Sequence, residues 1–197
     1  MSTFSQTYIK SKDVDTVLAE FKKYLSIGRE IWFDTRKEWF YNIQHEDNPS
    51  TEKNLTLMFA KNQSKEWIEI EIDFGNNLYF YDEILRRISK TLNAEILLGY
   101  FQSTLGEGRL AKFKNGQLEL SFFEQYYHYN TIDRIYVADN FGVLNSNIET
   151  LKKVKTGKDS SLISHDFIYK FYKSEGWSND LDKDCHEWMF LHVEQLS

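Results

Sequence analysis

The sequence predicts an α+β protein, a mostly antiparallel β-sheet with two to three helices packed on it. Three observations carry this expectation. In residues 66–74, Trp67, Glu69, Glu71 and Asp73 alternate with Ile68, Ile70, Ile72 and Phe74, the two-residue period of a strand with one apolar and one largely acidic side. Leu78, Tyr81, Leu85, Ile88 and Leu92 then recur at the spacing of one helical face, and such a face can bury itself against the sheet. Asn115-Gly116 separates two strand-like runs, 109–114 and 117–124, and this dipeptide suits the positive φ angles of a type I′ hairpin turn.

The remaining elements follow in chain order. Tyr8-Ile9-Lys10 is a short first strand. Val14, Val17, Leu18, Phe21 and Leu25 mark an amphipathic helix, which Ser11 or Asp13 can cap and Gly28 can stop. Extended stretches are expected at 38–45 and 55–60, ahead of the alternating strand. Gly75-Asn76-Asn77 breaks that strand and starts the second helix, and further strands fall at 94–104 and 132–137. The polar stretch 145–161 is a connector. It leads to a third helix over 164–175, bearing Ile163, Phe167, Ile168 and Phe171 and closed by Gly176, and 188–193 forms a final strand.

A chain of 197 residues has room for one generous core, so residues 1–197 are expected to form one domain. Its halves would be 1–74 and 75–144, with 145–197 as a helix–strand extension. Both halves run strand, helix, strand, strand, strand, an order that an internal duplication would produce, with both helices on one face of the sheet.

Composition narrows the chemistry. One cysteine, Cys185, can form no internal disulfide and no cysteine-based zinc cage. The amino-terminal stretch has no basic segment followed by an apolar one, and no window approaches the ~20 apolar residues of a membrane span. The expectation is a cytoplasmic protein that does not enter membranes. A formal charge of −6 disfavours nucleic acid and favours a basic partner.

Short motifs in the chain lack the structural context that their chemistry requires. Gly106, Gly108 and Ala111 match a dinucleotide pattern, but a hairpin strand follows where a helix is needed. Asp180, Asp182 and Asp184 have the spacing of a calcium loop, yet Cys185 replaces the turn glycine and Leu191 the bidentate glutamate. His186-Glu187 opens a zincin-like motif whose second histidine is Phe190. A base for Cys185 would have to come from His45, His128 or His165. These patterns assign no catalytic residue, metal site or cofactor.

The stretch from Leu78 to Phe123, with the helix Ile84-Leu-Arg-Arg-Ile-Ser-Lys-Thr-Leu-Asn93 followed by strands and an Asn-Gly hairpin, resembles small bacterial proteins that include immunity factors, which neutralise toxins of competing bacteria. The resemblance implies a non-enzymatic binding role and carries no site residue across. From the residues themselves, the expected partner-binding surface combines the acidic strand side, Glu69, Glu71 and Asp73, with tyrosines Tyr126, Tyr127 and Tyr129. Carboxylates steer a basic partner, and exposed aromatic rings anchor it. A small-molecule-binding or hydrolytic domain with a Tyr/Trp-lined cleft is the alternative, and a homo-oligomer joined through a strand edge is a third.

Overall fold

The alternation of residues along each strand decides which side chains can meet a helix, and here helices meet both sides. The structure, a computed structural model, describes residues 3–33, 54–60, 66–72, 81–102, 107–126, 134–137, 163–177 and 188–194. Its strands are β1 (Thr3–Lys10), β2 (Ser26–Phe33), β3 (Asn54–Ala60), β4 (Trp67–Ile72), β5 (Ile96–Gln102), β6 (Glu107–Lys114), β7 (Gln117–Tyr126), β8 (Arg134–Val137) and β9 (Trp188–Glu194). The helices are α1 (Val14–Lys22), α2 (Asp82–Thr91) and α3 (His165–Ser174). The strands form a single sheet in the order β2-β9-β3-β4-β1-β5-β6-β7-β8, and every pairing is antiparallel. The fold is therefore α+β.

One face buries Ile9 of β1, Ile68, Ile70 and Ile72 of β4, Ile96 and Leu98 of β5 and Phe113 of β6 against Val17 and Phe21 of α1 and Leu85 and Ile88 of α2. The opposite face buries Tyr8, Trp67, Leu97, Leu110 and Phe122 against Ile168, Phe171 and Tyr172 of α3. Neighbours in sequence, such as Tyr8 and Ile9 or Leu97 and Leu98, thus enter different cores, as the two-residue strand period requires. Each large side chain so buried contributes about 1.5–3 kcal/mol.

Local chemistry explains the helix ends. Asp13 accepts hydrogen bonds from the backbone N–H of Asp15 and Thr16 at 3.1 and 3.2 Å and from the Thr16 hydroxyl. That last contact, with the backbone bonds, holds the Asp13 carboxyl below its usual range. Gly116 has φ +77° and Asn115 φ +51°, the pair of positive angles expected for the β6–β7 turn. The turn is docked on α2: the Arg86 Nε donates to the Gly116 carbonyl at 3.2 Å.

Several boundaries differ from the expectation. β1 begins at Thr3 because its polar start, which shows no apolar alternation, pairs with β5 from Thr3↔Gln102 onward. β2, Ser26–Phe33, is a strand where the sequence pattern marks none. α1 ends at Lys22, so Gly28 stops no helix and lies instead in β2, where the register with β9 shifts between Ile27 and Arg29. β9 enters between β2 and β3, pairing with both. The stretches at 38–45 and 75–80, the connector at 145–161, and residues 180–187 with Cys185 lie outside the described residues.

Candidate functional site beneath the third helix

α3 is capped by Ser164, whose side chain accepts from the Phe167 N–H at 3.3 Å, and the chain turns away just past its end at Gly176, with φ +84°. The Trp177 N–H then returns to the Tyr172 carbonyl at 3.0 Å, turning the indole in under the helix. Two glycines let the helix settle on the sheet. A Cβ at Gly99 would stand 2.3 Å from the Tyr172 hydroxyl and 2.4 Å from Ile168 Cγ2, and one at Gly108 would stand 2.6 Å from Ile163 Cβ. Gly108 thus lies within β6 and serves close helix–sheet approach.

The space between helix and sheet holds a polar network in an aromatic shell, with Gln6 at its centre. The Gln6 Nε2 donates to Glu69 Oε1 at 2.6 Å. The Gln6 Oε1 accepts from the hydroxyls of Tyr8 and Tyr169, each at 3.2 Å, and the Gln6 carbonyl accepts from the Tyr172 hydroxyl at 2.5 Å. Trp177 closes the shell, its ring centroid 4.9 Å from Tyr8, 5.5 Å from Tyr169 and 5.8 Å from Tyr172. Among the described residues its buried indole N–H has no hydrogen-bond partner.

Burial, followed by the charge of Glu69, pushes both Tyr8 and Tyr172 far above the ordinary phenol range. Both stay neutral at physiological pH. They therefore act as donors in this network, unsuited to serve as bases or phenolate nucleophiles. Chemically, the arrangement stabilises one buried carboxylate with amide and phenol donors, and it fixes α3 in a single position.

The sheet does not gather the sequence-predicted site residues into one place. Glu69 is 9 % exposed and belongs to the network just described, while Glu71 is half-buried. The acidic side of β4 is not uniformly bare to solvent, because Glu69 is buried and bonded to Gln6 of β1 on the face that carries α3. Tyr126 ends β7, in register with Arg134 of β8. Asp73, Tyr127 and Tyr129 lie outside the described residues. β4 and β7 are separated by β1, β5 and β6, which at about 4.8 Å per strand spacing puts them about 19 Å apart. Higher up β7, Phe122 enters the α3-side core and Phe123 packs against the opposite one, so aromatic residues of both parities are used internally there.

Sequence reasoning missed Gln6, Tyr8, Tyr172 and Trp177 as a unit. The available signal was Tyr169 and Tyr172, three apart on the third helix and hence neighbours on its surface. Their partners come from the start of the chain, and only the sheet brings them together. His165 is exposed at the start of α3, its ring 4.6 Å from that of Tyr169. Among the described residues, no group of three His, Cys, Asp or Glu could hold a metal ion, and no helix is long and apolar enough to cross a membrane.

No protein-family description, curated protein sequence or solved structure matches this chain.

Proposed function

We propose that this protein is a cytoplasmic, non-enzymatic binding protein of the immunity type, engaging a basic partner protein through an acidic and aromatic surface. The supporting observation is β4. It is paired on both sides, by β3 and β1, and carries Glu71, half-buried, two residues from the buried Glu69. Carboxylates on a rigid central strand lose little freedom on binding, which favours steering and register over adaptability. Glu69 then organises the surface from beneath, Glu71 and Asp73 meet the partner, and Tyr126, Tyr127 and Tyr129 are its aromatic anchors.

The test is capture of partners by the tagged protein across a salt series, followed by association kinetics. A stoichiometric basic protein released by salt, whose on-rate falls in Glu71→Lys, is the expected result. On-rates with unchanged salt dependence in that variant would remove the basis of the reading. Glu69→Lys is unsuitable because it would place a second kind of charge in the buried network.

One observation favours the alternative of a small-molecule or hydrolytic domain. The Trp177 indole N–H is a buried donor without a partner among the described residues, beside three tyrosines, and ligand sites combine such aromatic walls with a few polar groups. A thermal-shift screen of small hydrogen-bond acceptors checks it. Stabilisation of the parent, with the same shift in Trp177→Phe, would dismiss the indole as the contact.

A further inference from the structure

We infer that the outer face of α2, on the side of the sheet opposite Glu69, is a docking surface for an acidic polypeptide segment of another protein. Although the chain carries a net charge of −6, this face is cationic. Arg86, Arg87 and Lys90 point to solvent from α2, and Lys23 stands at the adjoining end of α1. The acidic groups among them are Glu83 and the buried Glu20. Glu20 is bonded to Lys23, and Glu83 is shared by both arginines, at 3.5 Å from Arg86 Nη1 and 2.9 Å from Arg87 Nε.

The arginines are held in a way that a merely solvated face does not need. Arg86 is anchored by its Nε on the Gly116 carbonyl of the hairpin. Arg87 is anchored by its Nε on Glu83 and lies with its Cζ 5.6 Å from the Tyr24 ring centre. Each inner nitrogen takes an internal bond, Arg86 Nη1 adds a longer contact to Glu83, and the two side chains are still 48 % and 56 % exposed. A guanidinium fixed at Nε presents a carboxylate with donors already oriented, so less rotamer entropy is lost on binding.

Charge complementarity selects a carboxylate-bearing partner. A long phosphate polyanion would run past the patch and be repelled by the rest of an acidic molecule, whereas a short acidic segment ends within it. The span from Glu83 to Lys90 is about 10 Å of helix, enough for two or three carboxylates of a strand or helical turn and small for a membrane surface.

The experiment uses the full chain and a fluorescent deca-glutamate peptide as probe, at low and at physiological salt. Binding at low salt that weakens roughly tenfold in Arg86→Gln/Arg87→Gln is expected, from two exposed contacts of up to about 0.7 kcal/mol each. Lys170→Gln/Lys173→Gln removes the same charge from α3 and should leave binding unchanged. Equal losses in the two variants, no binding by the parent, or a preference for a single-stranded oligonucleotide over the peptide would overturn the proposal. So would concentration-dependent dimerisation abolished by the α2 variant, since the occupant would then be a second copy of this chain. Circular dichroism of each variant separates a lost contact from a lost fold. The probe reads α2 alone, so its outcome is independent of the basic-partner reading of β4.

Discussion

On the side of α1 and α2 the sheet is met mainly by aliphatic side chains and phenylalanines, whereas on the side of α3 it is met by tyrosines, tryptophans, a glutamine and a carboxylate. The first arrangement derives its stability from apolar area, which is non-directional. The second adds directional bonds that are satisfied in one helix position only. The principal directional tie on the first side is Arg109, wholly buried, whose Nη1 and Nη2 donate to Asp82 Oδ1 and Oδ2 at 2.8 and 2.6 Å. That pair pins the first residue of α2 to β6, in the middle of an otherwise apolar contact. The difference teaches that helix position on this sheet is specified by a few polar ties, while most of the burial energy is indifferent to small shifts.

The largest expected effect tests the tie on the first side. Arg109→Met removes one partner of a buried pair and should destabilise the protein by about 3–5 kcal/mol, toward the lower end because Asp82 keeps 20 % exposure. Denaturant unfolding measures it, and the companion change Asp82→Asn/Arg109→Met should recover part of the loss. Near-neutral behaviour of the single variant would mean that α2 is positioned by its apolar face alone.

Gly99→Ala comes next. Its methyl group would overlap Tyr172 and Ile168, and overpacking of this kind costs about 1–3 kcal/mol. Amide exchange should accelerate in α3 well before α2, because the two helices occupy opposite faces. Equal acceleration in both would show that the faces unfold as one unit.

Tyr172→Phe deletes the bond to the Gln6 carbonyl and should cost roughly 0.5–1.5 kcal/mol. It also carries a pH signature. Tyr8 and Tyr172 are raised above the ordinary value of 10.0 in the folded state, so their contribution is complete below pH 10.0 and is lost as pH rises beyond it, where the unfolded phenols ionise first. Urea unfolding from about pH 9 to about pH 12 should show a steeper decline for the parent than for Tyr8→Phe/Tyr172→Phe. Superimposable profiles would deny the buried phenols this role. Smallest is Ser164→Ala, which loses the cap of α3 at a cost of about 1 kcal/mol and should fray that helix's first turn in exchange measurements.

Much of the local structure was legible because it is local. The alternation around Ile68, Ile70 and Ile72 locates β4, the spacing of Leu85, Ile88 and Leu92 locates α2, and Asn115-Gly116 locates the hairpin. The candidate site was legible in part. Glu69 was singled out for its place on the acidic side of a strand, but a two-residue period cannot distinguish a side facing water from one facing a second helix layer. Gln6 and Tyr172 lie 166 residues apart, and nothing in either neighbourhood announces the other.

The sequence alone therefore determined the α+β class, most strand and helix positions and the hairpin turn, because each depends on neighbours within a few residues. Tertiary structure decided the rest: that β9 inserts between β2 and β3, that Gly99 and Gly108 admit α3, and that Glu69 ends up internal. Those outcomes depend on which distant strands pair and how closely a helix can approach them. They are set by packing across the whole sheet and leave no periodic trace along the chain.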